Sequence, residues 1–277
     1  MYDGYIYSPT PYGAIDLRIE VYNTSDVRTV NELQAQFELA TTESSRPQAI
    51  PTLTRCLLLD GFHGDNTTKL LQLTARLAPY NPPEVARDVS WVNTTLTLAG
   101  MTGGIYTTPT DVDLTSAARE AALAVYNVRH KRVKKNFRNL GDGWSLLRDR
   151  LSGDFKSHYV VRAFVAAQGY LQLTADQAIY PLYDVSTYLL ANTTYNVTFH
   201  GKPQVTGFWS LTVYYASNAS LVYNPLDRYA LGDRSDITYP NGSYVYGSEG
   251  SPADSTAPFS FYLQTQDITP PEEYYSK

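Results

Sequence analysis

A single cysteine, Cys56, stands in 277 residues, so no internal disulfide framework is possible. Its neighbours, Leu53-Thr54-Arg55 before and Leu57-Leu58-Leu59 after, make it read as a buried, inert thiol rather than a nucleophile. Charge is scarce too. Charged residues make up 18% of the chain, below the usual quarter, and the net charge is −5. That balance argues against nucleic-acid binding by the chain as a whole. The four histidines, His63, His130, His158 and His200, are scattered and form neither His-x-His nor His-Glu-x-x-His. No metal site is expected from them. No apolar run reaches the roughly 18 residues that a membrane-crossing helix needs. The opening Met1-Tyr2-Asp3-Gly4-Tyr5 has no basic flank and no apolar stretch, so no signal peptide is expected in this chain. Gly-x-Ser-x-Gly, the phosphate loop and the dinucleotide fingerprint are missing as well. No cofactor is expected, and no motif names a reaction.

What fills the gap is polar and aromatic: Ser, Thr, Asn and 24 Tyr, a balance common in secreted β-rich proteins. Seven Asn-x-Ser/Thr sequons occur, at Asn23, Asn66, Asn93, Asn192, Asn196, Asn218 and Asn241. With 13 Asn in the chain, chance gives roughly two. The excess points to N-glycosylation and hence to a secreted, extracellular protein.

The length allows about two domains, each with a sizeable core. Residues 14–22 alternate, with Ile15, Leu17, Ile19 and Val21 on one face, as a half-buried strand would. A helical series follows. One helix is opened by Thr24, Ser25 or Asp26 as N-cap and carries Val27, Val30, Leu33 and Phe37. A second starts at Asp65 or Thr67 and carries Leu70, Leu71, Leu73 and Leu77. A third has Pro83 in its first turn and runs toward Gly100. A long one is expected from about Ser116 to Asn139, and a last one from about Phe155 to Gln168. From Ala178 the pattern becomes short strands with turn signals, which suggests an antiparallel sandwich. Tyr195, Val197 and Phe199 point one way, Asn196, Thr198 and His200 the other. Pro240-Asn241-Gly242 is a hairpin signal, with Asn241 at the tip.

Two stretches concentrate the chemistry. Phe208-Trp209-Ser210-Leu211-Thr212-Val213 reads as a strand with Trp209 as its core anchor. After it, Asn224 to Asp236 carries Asp227, Arg228, Tyr229, Asp233, Arg234 and Asp236. The two Arg could hold a carboxylate or sulfate, with Tyr229 and Asp233 beside them. The bland alternative is an ion-pair network that pins the loop, with Arg228 in a buried pair and Arg234 the better ligand contact. A glycosidase-like carboxylate pair is a further alternative. The basic run Arg129 to Arg138 reads as a solvated helix C-terminus, or as a contact for an anionic partner or a membrane surface.

These stretches also carry a resemblance. Asn81-Pro82-Pro83, Gly143-Trp144, Tyr159-Val160-Val161-Arg162-Ala163, Ala178-Ile179-Tyr180-Pro181, Tyr195-x-x-x-Phe199, Gly207-Phe208-Trp209-Ser210-Leu211-Thr212 and Asn224-Pro225-x-x-Arg228-Tyr229-x-x-Gly232-Asp233-Arg234 follow one another in an order that resembles the paired domain-of-unknown-function families 1254 and 1214. The second half resembles domain 1214, and the first half the tail of domain 1254. The sequon density is similar to that of a fungal secreted member. The resemblance implies a remnant of an N-terminal β domain over 1–23, a helical domain over 24–154, and a jelly-roll-like β-sandwich over 155–277 that lacks its last strand. It implies no established activity. Leu190-Ala191-Asn192 departs from it, because family members tend to have Gly in that turn. The fold class is thus α+β and multidomain. The functional expectation is a secreted glycoprotein that is ligand-binding or structural, its partner a small molecule. The alternatives are an enzyme acting on a small acidic or sugar-like molecule through Arg228 and Arg234, and a gene fragment with no function of its own.

Overall fold

A computed structural model describes residues 24–40, 50–130, 135–183, 189–190, 192–201, 203–215, 219–233, 235, 237–238, 244–246 and 259–264, and singly 4, 6, 12, 13, 15, 17, 19 and 21. The chain divides into two compact units. One comprises Met1–Arg138 and Leu147–Tyr180, the other Asn139–Leu146 and Pro181–Lys277.

The first unit is mainly helical. A 3-10 turn, Thr24–Asp26, leads into α1 (Val27–Gln34). In α2 (Arg55–Leu59) the N-cap Thr54 side chain accepts from the Leu57 backbone N–H at 3.1 Å. Asp65 caps α3 (Asn66–Leu77) in the same way, accepting from Thr68 N at 2.8 Å. That hydrogen bond is the main cause holding the Asp65 carboxyl below its ordinary range. Arg76, near the end of α3, reaches back to α2 and its C-cap. Its Nη1 donates to the carbonyls of Leu57 at 2.8 Å and Asp60 at 3.0 Å, and its guanidinium lies 4.0 Å above the Phe62 ring centre.

The next helix, α4 (Val89–Leu98), starts later than Pro83 suggests. Val85 is extended (φ −83°, ψ 106°), which breaks the helical path, and a 3-10 turn over Ala86–Asp88 restarts it. Strands β1 (Met101–Thr102) and β2 (Ile105–Tyr106) form a hairpin. Its two-residue turn needs left-handed backbone at both positions, and Gly103 (φ +60°) and Gly104 (φ +83°) supply it.

The long helix, α5, is described over Leu114–His130, and by Lys135 the chain is in a turn, so it does not run to Asn139. Lys131–Lys134 lie outside the described residues, and Phe137 opens a strand, β3 (Phe137–Gly141). The reason is tertiary. The Phe137 ring stands edge-on to Phe164 at 6.3 Å and packs on the core. The basic run is therefore not one helix end, since Arg129 lies in α5 and Arg138 is exposed in β3. Strand β4 (Trp144–Leu147) follows, then α6 (Tyr159–Gln168), which begins four residues after the expected Phe155. Val161, Phe164 and Val165 form one buried stripe on α6. They join Val128, Leu147 and Leu151 as the core, with Val125, Phe137 and Phe155 packed around it. Near the start, Ile15, Leu17 and Val21 are exposed and Ile19 is half-buried, and the residues that alternate with them lie outside the described residues.

The second unit is built of strands: β5 (Leu182–Tyr183), β6 (Thr194–Phe199), β7 (Ser210–Thr212), β8 (Ala230–Gly232), β9 (Ile237–Thr238), β10 (Tyr244–Tyr246) and β11 (Phe259–Gln264). The hairpin tip Asn139–Leu146 belongs to this unit, and β4 is flanked by β3 and β5, with Trp144 opposite Tyr183. β6 pairs antiparallel with β11, Phe199 opposite Phe259 through Thr194 opposite Gln264. β7 pairs with β8, and β9 with β10. The β9–β10 pair flanks the expected hairpin, whose tip lies outside the described residues. On β6 the expected alternation is present: Tyr195, Val197 and Phe199 are half-buried, Asn196, Thr198 and His200 exposed. Before it, Asn192 sits at φ +54°. Asn is the non-glycine residue that most readily adopts this conformation, so the turn forms without Gly. The fold is mixed α+β. Its described sheets are two or three strands wide, and no closed barrel forms among the described residues.

Candidate functional site

The loaded segment 224–234 is positioned by a hairpin. Residues Ser210–Thr212 pair with Ala230–Gly232. Farther along the same strand, Tyr214 bridges Leu221, Val222 N donates to Val213 O at 3.1 Å, and Tyr215 N to Ser220 O at 2.8 Å. One long strand is thus paired first with 230–232 and then with 220–222. The loop 223–229 between those partners is pushed out of the ladder. Gly232 is required where the ladder resumes, because a Cβ there would run into the Trp209 carbonyl oxygen. It is the last residue of β8 as well as the start of the turn closed by Ser235 N to Gly232 O at 3.0 Å.

Asn224 holds the pushed-out loop. Its carbonyl accepts from Asp227 N at 3.1 Å, closing an Asn224-Pro225-Leu226-Asp227 turn, and Asp227 leaves it at φ +50°. The Asn224 amide then meets the backbone of Arg228 twice, accepting from its N–H and donating to its C=O, each at 3.0 Å. A side chain here stands in for a strand neighbour. The sequence carries the signal, an Asn followed by Pro and Asp, but the reading above assigns Asn224 no role.

The charged residues of this segment do not form the buried network that was the bland expectation. Arg228 is exposed, and no ion pair of its guanidinium occurs among the described residues. The expected buried pair at Arg228 is therefore corrected: its neighbours are engaged elsewhere. Asp227 Oδ1 accepts from the Tyr229 hydroxyl at 3.2 Å. Asp233 Oδ1 accepts from the Trp209 backbone N–H at 3.1 Å, so Asp233 acts on the strand ladder. Arg234 and Asp236 lie outside the described residues. Trp209 itself is half-buried, less than a core anchor would be, with its ring 5.1 Å from Phe199 at a 40° tilt.

The first unit holds two polar features that the sequence reading missed. Asp88 is 5% exposed, at the N-terminus of α4, where the helix dipole favours a carboxylate. Tyr159 donates to its Oδ2 at 2.9 Å, and the Trp91 ring stands edge-on to Tyr159 at 5.6 Å. The buried Ser157 hydroxyl completes no hydrogen bond of good geometry, yet it stands near enough to be the largest influence lowering the Asp88 carboxyl, ahead of Tyr159 and Trp91 and against the effect of burial. Burial and Asp88 together push the Tyr159 hydroxyl up. Nothing local in the sequence marks Asp88, because its partner is 71 residues away. The second feature is an open groove of about 600 Å³ lined by Asp149, Arg150, Asp154, Lys156, Thr174 and Asp176. Its charges are largely answered from within. Lys156 Nζ lies 2.8 Å from Asp154 and 3.7 Å from Glu84, and the Thr174 hydroxyl is the first of the groups that lower Asp176.

Of the sequon asparagines, Asn66, Asn93, Asn192 and Asn196 are exposed, and Asn23, Asn218 and Asn241 lie outside the described residues. Cys56 is exposed rather than buried, since α2 turns Leu57 and Leu58 inward and leaves the thiol outside. Among the described residues no cluster of three or more His, Cys, Asp or Glu could hold a metal ion, and no helix is long and apolar enough to cross a membrane. Residues 177–267, which include the whole 224–234 segment, match the family described as "Protein of unknown function (DUF1214)". No curated protein and no solved structure matches the chain.

Proposed function

We propose that the chain is a secreted glycoprotein of the paired 1254/1214 type, similar to fungal members, with its second unit arranged as a jelly-roll-like sandwich. Its function in this reading is to bind a small anionic molecule on the loop that carries Arg228, with Arg234 as the second guanidinium, rather than to catalyse a reaction. The observation that carries the reading is the state of Arg228. The Asn224 amide fixes its backbone, while its guanidinium is exposed and without an ion partner among the described residues. A fixed backbone and an unspent fork of donors suit a carboxylate or sulfate. The enzyme reading is weaker, because the nearby carboxylates that could act as a base, Asp227 and Asp233, already accept hydrogen bonds.

Calorimetric titration of the full chain with sulfate and with small dicarboxylates tests this. Binding near about 1 mM is expected for a shallow site of this kind. Arg228→Gln and Arg234→Gln should each weaken it without lowering the melting temperature. Equal binding by the Arg228→Gln chain would remove Arg228 from the function. The compartment is tested separately, by expression behind a cleavable secretion signal and mass spectrometry of Asn66, Asn192 and Asn196.

A further inference from the structure

We infer that the N-glycan on Asn93 seats its first sugar in a hollow of the helical unit, so that this glycan is a structural part of the unit. The inference rests on the secretory reading above. The sequon Asn93-Thr94-Thr95 lies on α4, with Asn93 exposed. The Asn93 carbonyl is taken by Thr97 Oγ1 at 2.9 Å, and no hydrogen bond of the Asn93 side-chain amide occurs among the described residues. The amide nitrogen that would carry the sugar is thus unspent.

Asn93 is also one wall of a hollow of about 200 Å³. Ala78 and Pro79, just after α3, Leu96 of α4, and Met101, Thr102 and Gly103 of the β1–β2 hairpin also line it. The walls are small and mixed, with Ala75, Ala78, Pro79, Leu96 and Met101 apolar and Thr97 and Thr102 adding polar surface. At Gly103 no atom lies within 4 Å of where a Cβ would stand, so the mouth is open there. An N-acetylglucosamine presents an acetyl methyl and a face of C–H groups, with its hydroxyls around the rim. That chemistry suits a small uncharged hollow of mixed apolar and polar lining with an open mouth, and it does not suit the charged groove at Asp149 to Asp176. Attachment at the rim makes the contact intramolecular, so even a weak preference for the hollow is realised. The other described sequons serve as controls within the same molecule. Asn66 starts α3, Asn192 lies in a turn, and Asn196 faces outward from β6.

The test uses the full 277-residue chain secreted with high-mannose glycans. Release by an endoglycosidase that cuts between the first two sugars is followed site by site, on native and on denatured protein. Release at Asn93 should be about tenfold slower than at Asn66 and Asn196 in the native state, and equal to them after denaturation. Ala78→Leu, which fills the hollow, should speed native release at Asn93 alone. If that variant does not fold, the native-to-denatured comparison on the unsubstituted chain still decides. Glycans at Asn66, Asn192 and Asn196 with Asn93 bare, or released at Asn93 as fast as elsewhere, would overturn the seat and leave the compartment standing. A secreted chain with no glycan at any sequon would overturn the compartment, and the seat with it.

Discussion

Arg228 and Asn224 exchange the roles that residue type alone suggests. The charge looks structural and the amide incidental, yet the amide makes two hydrogen bonds to backbone, while the charge is exposed and has no ion partner among the described residues. Arg228→Gln should therefore leave the urea midpoint near wild type, within about 0.5 kcal/mol. Asn224→Ala should cost about 0.5–1.5 kcal/mol, the net worth of hydrogen bonds whose Arg228 backbone groups water can then reach. A melt in which Arg228→Gln is the more damaging would reverse the assignment. Asp233 gives a sharper contrast. Asp233→Asn keeps an oxygen to accept from Trp209 N and should be nearly neutral, whereas Asp233→Ala should cost about 1–2 kcal/mol. The sequence marks which residues gather in this loop, since their spacing is local. It does not mark what each one does, because that depends on a register set by Gly232 lying against the Trp209 carbonyl. The exposed thiol of Cys56 is a similar case: a leucine-rich neighbourhood says that a short helix buries one face, not which face the cysteine takes.

At the scale of elements, what was legible is what is decided within a turn or two. The Asp65 cap of α3 and the alternation of β6 follow from local chemistry. The end of α5 and the start of α4 do not, because Phe164 draws Phe137 into a strand and Tyr159 holds Asp88 where α4 begins. The Asp88 contact should also be visible in the pH dependence of stability. Its carboxyl is held below the ordinary value, first by Ser157 and then by Tyr159 and Trp91. A folded pKa below the unfolded value of about 3.9 means that the contribution is fully present above that value. It is lost as pH falls through the folded value. Urea midpoints measured down the acid limb should therefore drop more steeply for the wild-type chain than for Asp88→Asn, which should also be less stable at neutral pH. Parallel acid limbs for the two chains would show that Asp88 is not linked to folding.

At the scale of the whole molecule, the family match and the compact unit have different bounds. The match runs from 177 to 267 and contains nothing of 139–146, yet those residues belong to the same unit as 181–277. They are not peripheral to it. Trp144 lies opposite Tyr183 in the β4–β5 ladder, their rings 5.3 Å apart, and a Cβ on Gly143 would sit 2.9 Å from the Tyr183 ring. An aromatic pair of this kind contributes about 0.5–1.5 kcal/mol beyond the area it buries. Without the hairpin tip, β5 loses its described partner strand, and a lone short strand leaves backbone donors and acceptors open to association. A chain of residues 181–277 alone should thus melt broadly and self-associate. The same chain preceded by 139–146 through a short Gly-Ser linker should gain a sharper, higher transition by calorimetry, and Trp144→Ala within the added segment should abolish most of that gain. If 181–277 alone melts cooperatively at the same temperature as the extended chain, the tip is an accessory to the unit and not one of its strands. A boundary at residue 155, as the family resemblance implies, separates this segment from the unit it belongs to, because a division by position along the chain cannot register a hairpin tip that pairs with a strand more than 35 residues later.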